Sequence, residues 1–375
     1  MLQPPEEAGR AKIESDLTVE GPADDDNPPD AAAADDAPPD DAADDAAAAD
    51  ADAPPAKRRC ARSVPTVSIG GVFVPCVGLG TLALGVCYPA ERPARYVSLA
   101  IFRKAYANGI RFFDAADVYC RDQDDLHYAE KLLGDALRGL PEIVVSTKGG
   151  CRRRGDGSAS TSWDFGYVLQ PADVASTIAE SAAAVGDGFT LMWSLHNTDA
   201  YDATGEDFQN VLRAMRVSAE KGVVQLLGLS NATCAHIEAA ARELGPLFAA
   251  VQNELGPYDL HAAQPRKTVG RVGKKNKEGV LASCREHGVA FVATKVFGGL
   301  GSRQGKRHLA EDFPAAAKAA AKHGVSPHDV VLGALLKTHA PILAIIGARS
   351  VDHVLDLERV AQQMDLDHGD RVLRK

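Results

Sequence analysis

No two cysteines stand in a C-x-x-C arrangement. The seven present, Cys60, Cys76, Cys87, Cys120, Cys151, Cys234 and Cys284, are scattered and odd in number. That pattern speaks against a disulfide framework and against a zinc site, so no metal is expected. It suits reduced thiols in a reducing, cytoplasmic compartment. Long apolar runs are missing as well. None reaches the roughly 18 residues that a membrane-spanning helix needs, so no membrane partner is expected. Residues 1–10 lack the apolar stretch of a secretory signal, and the N-terminal region is too acidic for an organellar transit peptide. Excess positive charge is also lacking. The formal net charge is −10, and residues 1–62 account for it with 17 acids against 6 Lys and Arg. The remainder is nearly neutral, with 34 acids and 35 Lys and Arg, so nucleic-acid binding has no global electrostatic support. The glycine-rich fingerprint of an open dinucleotide-binding sheet is absent too. Gly78-Leu79-Gly80 lacks a third glycine and runs into Thr81-Leu82 rather than a clear helix.

What is present divides in two. Residues 1–62 form an acidic Ala/Pro/Asp tract with repeated Asp pairs, ended by Lys57-Arg58-Arg59. Prolines and like charges oppose helix there and little is available to bury, so the tract is expected to be disordered. A basic partner for this tail is one use that its charge permits. Residues 63–375 are expected to form one domain. Val67-Ser68-Ile69 and Val72-Phe73-Val74 flank Gly70-Gly71, which predicts a β-hairpin. Strands are then predicted at 76–80, 110–113, 143–146, 190–195, 223–229, 247–251, 289–293 and 342–346. Between them lie helical patterns at 95–107, 126–138, 171–184, 206–220, 233–244, 277–287, 308–323 and 327–338. Eight strands alternating with helices over about 300 residues predict an α/β fold, a (β/α)8 TIM barrel with an N-terminal β-hairpin.

In such a barrel the carboxyl ends of all strands share one mouth. The residues expected there include Asp114 and Tyr119, Lys148, His196, Ser230 and Asn231, Gln252 and Arg349. Four of these make a coherent chemical set. A free tyrosine has a pKa of about 10, too high for efficient proton transfer at neutral pH. A neighbouring ammonium stabilises the phenolate, and an aspartate keeps a buried lysine charged. A neutral imidazole can orient a carbonyl oxygen. Tyr119 then protonates the carbonyl, Lys148 tunes Tyr119, Asp114 supports Lys148 and His196 positions the substrate. None of the four looks like a nucleophile, so the set implies hydride from a bound cofactor.

The chain from about residue 64 to 366 resembles the aldo-keto reductase family. The resemblance is carried by Val77-Gly78-Leu79-Gly80-Thr81, by Gly109-Ile110-Arg111-Phe112-Phe113-Asp114-Ala115-Ala116 with Tyr119, and by Glu130 with Leu133-Gly134-Asp135-Ala136-Leu137. Ser146-Thr147-Lys148, Leu195-His196, Leu227-Gly228-Leu229-Ser230-Asn231, Val251-Gln252-Asn253 and Ile346-Gly347-Ala348-Arg349-Ser350 continue it in order. The resemblance implies a barrel that binds NADPH, with NADH kept as the alternative, and reduces aldehydes, ketones or open-chain sugars. It implies Asp114, Tyr119, Lys148 and His196 as the catalytic tetrad. Ser230, Asn231 and Gln252 match residues that hold the nicotinamide amide, which needs both donors and acceptors. Gly298, Gly299 and Gly301 resemble the loop across the pyrophosphate, where small residues let backbone amides approach. Gly347, Arg349 and Ser350 match the site of the adenosine 2′-phosphate, for which a guanidinium is suited. The chain departs from the family in four places. Thr294-Lys295 stands where a tyrosine often stacks on the nicotinamide. His353 and Leu357 stand where a Gln and an Asn often face the adenine. Leu191 stands where an Asp is common.

The small-molecule carbonyl substrate is read only from loops. The stretch 149–170 contains Trp163, Phe165 and Tyr167, of which Trp163 is the candidate pocket wall. A second loop, 264–277, is basic, with Arg266, Lys267, Arg271, Lys274, Lys275 and Lys277, and reads as a solvated loop. Two other functions stay open at this point. One is an NAD(P)-dependent sugar or alcohol dehydrogenase working in the oxidative direction. The other is a cofactor-binding regulatory subunit with slow turnover.

Overall fold

The structure is a computed structural model, described for residues 64–86, 91–153, 163–164, 168–265, 279–299, 307–366 and 372–374. The acidic tail, Cys60, Cys87, Phe165, Tyr167, Gly301 and the basic loop residues from Arg266 to Lys277 lie outside the described residues. So does the side chain of Trp163.

The hairpin comes first. Its strands are β1, Thr66–Ile69, and β2, Val72–Pro75, paired antiparallel. Gly70 and Gly71 both have positive φ, 55° and 91°, which a tight two-residue turn requires and side chains resist. Val67, Ile69 and Val74 turn inward, and the turn packs on Leu226 and Ala249, where two later strands begin. The hairpin therefore closes the end of the barrel opposite the mouth.

Eight parallel strands make the barrel: β3, Val77–Gly80; β4, Phe112–Asp114; β5, Val144–Gly149; β8, Thr190–Leu195; β9, Leu226–Ser230; β10, Phe248–Glu254; β11, Ala290–Thr294; and β12, Leu343–Gly347. They close in the order β10-β11-β12-β3-β4-β5-β8-β9. Between β5 and β8 lies a two-residue antiparallel pair, β6, Arg152–Arg153, and β7, Trp163–Asp164. The barrel strands are buried along nearly their whole length because side chains fill one face and helices cover the other. This explains why the strands read in sequence as short apolar runs rather than alternating ones.

Helices follow the predicted rhythm at Arg95–Ala107, Tyr128–Leu137, Val174–Val185, Glu206–Glu220, Cys234–Leu244, Val280–Glu286 and Pro327–His339. Three differences stand out. The pattern at 308–323 splits into Leu309–Asp312 and Pro314–His323, because Pro314 has no N–H to continue a helix but starts one well. One helical turn, Leu82–Gly85, forms directly after β3, where no helix was expected. A final helix, Leu357–Asp365, packs on the helix before β12. Its Asp356 side chain accepts the Arg359 N–H at 2.7 Å, and Arg359 and Gln363 both donate to the buried Asp329. Leu357 packs on Gly109, at the turn that feeds β4. That turn lies at the end of the barrel away from the mouth, so Leu357 does not stand at an adenine site.

Candidate active site

β4 ends at Asp114, and the chain then turns back over the mouth. The Tyr119 N–H donates to Ala116 O at 3.0 Å, while the Ala115 and Asp117 N–H groups continue the ladder onto Ser146 O and Lys148 O. Gly85 makes this turn possible. A Cβ at Gly85 would lie 2.1 Å from the Tyr119 carbonyl oxygen, so only glycine lets the Leu82–Gly85 turn sit against it. Gly85 was not singled out in the sequence, where one more glycine beside a strand carries no distinguishing signal.

Lys148, near the end of β5, is fully buried. Its Nζ donates to Asp114 Oδ2 at 2.7 Å and to Ala115 O at 2.6 Å, and reaches the Tyr119 hydroxyl at 3.5 Å. His196 follows β8, with its ring centroid 5.9 Å from that of Tyr119 in an edge-to-face arrangement. The structure thus brings Asp114, Tyr119, Lys148 and His196 to one point. Burial opposes charge on Lys148, but Asp114 and Tyr119 outweigh it and its pKa is raised, so it is an ammonium. Tyr119 departs from expectation. Burial raises its pKa more than the Lys148 charge lowers it, and the net shift is upward. Tyr119 is therefore held protonated at neutral pH.

Burial, helped by the Lys148 charge, lowers His196 to about 3. Its Nδ1 is buried without a hydrogen-bond partner among the described residues. The imidazole is neutral in the fold, while the unfolded chain binds a proton below about pH 6.5. Stability from this group is thus present above that value and is lost as pH falls toward about 3. Between pH 7 and pH 5 the loss should be about 2 kcal/mol. Urea unfolding of wild type and His196→Gln at both pH values checks this, because the difference between them isolates His196 from other titrations. A difference that does not change with pH would contradict it.

A second buried cluster backs the site. Glu130 is fully buried and bonds His127 Nδ1 at 2.5 Å and the Thr147 hydroxyl at 2.5 Å. Asp117 lies beside it, and burial followed by the Glu130 charge raises its carboxyl pKa well above the usual range. His127 is raised mainly by its bond to Glu130, against burial. These groups tie the Tyr119 turn to the strand that carries Lys148. Glu130 was read only as part of a family signature, since an acid in a helix usually faces water.

The candidate cofactor residues among the described ones occupy one continuous arc of the rim, toward the ends of β9, β10, β11 and β12. Ser230 ends β9. Asn231, in the left-handed region at φ 62°, donates to His196 O at 3.1 Å. Asn253, which had no assigned role, fixes this segment by bonding both the N–H and the carbonyl of Ala232. Gln252 donates to Asp114 Oδ1 at 2.7 Å. Gly298 and Gly299 follow β11 with φ of 97° and 60°. A Cβ at Gly298 would meet the Arg307 and Tyr258 side chains, and Arg307 donates to Gly298 O at 2.8 Å. Lys295 pairs with Glu254 across the ends of β11 and β10, and its stem lies over Gly299. Gly347 ends β12 and is exposed, and a Cβ there would make only an ordinary van der Waals contact, with Ala83 at 3.7 Å. Arg349 and Ser350 follow, half-buried, and the Arg349 guanidinium donates to the carbonyls of Ala83 and Glu91. His353 lies in a short 3-10 turn, Val351–His353.

The family model for the aldo/keto reductase family matches residues 76–369. The chain belongs to this family. Among curated aldo-keto reductases and their relatives, the "Aldo-keto reductase yakc [NADP(+)]" of Schizosaccharomyces pombe is 25% identical over 258 residues, 67% of this chain and 66% of that one. Pyridoxine 4-dehydrogenase of Escherichia coli is 24% identical over 295 residues, 77% of this chain and 90% of that one. An aldo-keto reductase from Klebsiella pneumoniae, solved with NADPH, superposes with TM-score 0.58 at 20% identity, covering 80% of this chain and 90% of its own. A thermostable aldo-keto reductase solved with epalrestat gives TM-score 0.59 at 17% identity, covering 83% and 97%. The two solved structures support the aldo-keto reductase barrel as the fold. Among the described residues, no helix is long and apolar enough to cross a membrane, and none form a group of acids, Cys and His able to hold a metal ion.

Proposed function

We propose that this aldo-keto reductase is an NADPH-dependent reductase that converts a small aldehyde, ketone or open-chain sugar to the alcohol, with Tyr119 as the proton donor. The observation that carries the reading is the division of the rim. Catalytic candidates occupy β4, β5 and β8, and polar and glycine positions suited to a dinucleotide occupy β9 to β12. The donor set fits NADPH. Ser230, Asn231 and Gln252 offer both hydroxyl and amide groups for the carboxamide. The positive-φ pair Gly298-Gly299 would let backbone amides approach a pyrophosphate. Gly347 is exposed, and the Arg349 guanidinium two residues on is suited to a 2′-phosphate. The fungal relative's name includes NADP(+), and the Klebsiella structure contains NADPH.

When bound, NADPH supplies the hydride that this chain's side chains lack. His196, neutral, donates a hydrogen bond that aims the carbonyl oxygen at Tyr119. Tyr119 gives its proton to that oxygen, and Lys148 stabilises the phenolate left behind. Burial keeps Tyr119 protonated at neutral pH, which favours reduction there, while the dehydrogenase direction needs the phenolate and gains as pH rises.

Fluorescence titration with NADPH and with NADH tests the cofactor assignment. NADPH should bind more tightly, and Arg349→Ala should weaken NADPH by roughly 10- to 100-fold while changing NADH little, the loss expected of one charge-assisted phosphate contact. Equal weakening of both would show that Arg349 does not read the 2′-phosphate. Failure to bind either would remove the enzyme reading.

A further inference from the structure

Asp114 does more than face Lys148. Its Oδ2 accepts from the lysine ammonium, while Oδ1 accepts from two neutral donors, Ser146 Oγ at 3.1 Å and Gln252 Nε2 at 2.7 Å. Ser146 is fully buried on β5, directly beside Asp114 in the strand register. Gln252 comes from β10, four places from β4 in a ring of eight, so its bond crosses the full width of the barrel. A buried hydroxyl in an apolar strand carries a desolvation cost that its hydrogen bond must offset. For Ser146, that bond goes to the aspartate that neighbours the acid–base pair.

We propose that Ser146, together with Gln252, is a positioning residue for proton transfer: the two hold the Asp114 carboxylate with one oxygen on Lys148 and the other hydrogen-bonded by neutral donors, and so set how readily Tyr119 releases its proton. This rests on the reading of Tyr119 as the acid. The direction of the effect comes from charge. Donors on Oδ1 disperse the carboxylate's negative charge, which lies close enough to disfavour a Tyr119 phenolate. With the Ser146 hydroxyl gone, more of that charge faces Tyr119, and the phenolate becomes harder to form. The Gln252 bond adds a coupling. The side chain suited to grip the nicotinamide amide also touches the charge that governs the acid, so cofactor seating and proton release share one residue.

The test is the pH profile of alcohol oxidation, which needs the phenolate, measured with NADP+ and benzyl alcohol for wild type, Ser146→Ala and Ser146→Cys. The cysteine variant fills nearly the same space with a weak donor, so it serves if the alanine variant folds poorly. Tyrosinate absorbance, taken as the difference between each protein and its Tyr119→Phe counterpart, reports the same ionisation without substrate. The expected result is a profile displaced to higher pH in both variants. On the rising limb, oxidation should be about three- to tenfold slower, the order of one hydrogen bond to a charged group. Reduction at neutral pH should change much less. Superimposable profiles, or a loss that is the same at every pH, would overturn the proposal, because a residue that only packs would not move the titration. The Tyr119→Phe control separates the two levels. Oxidation that persists without the hydroxyl would remove Tyr119 as the base. Oxidation lost there, with an unmoved Ser146→Ala profile, would remove only the role of Ser146.

Discussion

A Tyr119→Phe variant is expected to reduce an aldehyde about 10²- to 10⁴-fold more slowly than wild type, the range that a positioned general acid contributes. The substitution removes one oxygen and keeps the ring. The ring's edge-to-face contact with His196 and the close approach of Gly85 to the Tyr119 backbone are therefore preserved. The bond to Lys148 is long, at 3.5 Å, so losing it should cost no more than about 1 kcal/mol. NADPH affinity should stay within about twofold, because the residues proposed to hold the cofactor stand on the other arc of the rim. Loss of turnover with binding intact is the signature of an interaction made in the transition state. Steady-state reduction of a generic aldehyde, with NADPH titrated separately, checks it. Equal rates in the two proteins would end the mechanism. A second signature comes from pH. Because burial raises Tyr119 above an ordinary phenol, wild-type reduction should be nearly flat with respect to this group from pH 6 to 8, while oxidation climbs.

Much of the site was legible in the chain. Gly109 to Asp114 reads as a turn and a strand ending in an acid, and β4 ends at Asp114 as the pattern demands. Helices at 95–107 and 206–220 appear with those bounds because their apolar spacing is regular and their ends carry clear stops. Strand ends locate residues along the barrel axis, which is enough to bring the tetrad to one mouth. Closure in sequence order also sets the second strand opposite the sixth. Gln252 was therefore legible as a rim residue, while its bond to Asp114 was not, since that depends on the depth and reach of two side chains inside the barrel. Ser146 was hidden for a related reason. It was read only as part of the Ser146-Thr147-Lys148 signature, and a small hydroxyl beside a lysine reads as tolerated until its neighbour in register is known. The sign of the Tyr119 shift was also out of reach. The sequence names the lysine that lowers the pKa but not the burial that outweighs it. Leu357 was read as a departure from the family, and the last helix sets that residue on Gly109.

Lys148→Met should produce the largest combined loss, in stability and in turnover together. Lys148 and Asp114 form a buried ion pair at 2.7 Å, and removing one partner leaves the other charged and short of its strongest donor. Breaking such a pair costs about 3–5 kcal/mol, far more than a surface pair. Ser146 and Gln252 still donate to Asp114 but carry no charge, so they soften the penalty without cancelling it. Turnover should fall by about 10²- to 10³-fold or more, because the Lys148 charge is the main support of a Tyr119 phenolate. Stability and chemistry can be told apart with a double substitution. Lys148→Met with Asp114→Asn removes both charges and should regain most of the lost unfolding free energy, since a neutral amide can still accept from Ser146. It should regain no activity, because the phenolate is still unsupported. Urea unfolding and aldehyde turnover of the three proteins decide the matter. A single variant as stable as wild type would mean that the pair is not buried in the folded protein. A double variant that recovered turnover would mean that Lys148 serves the fold and not the proton transfer.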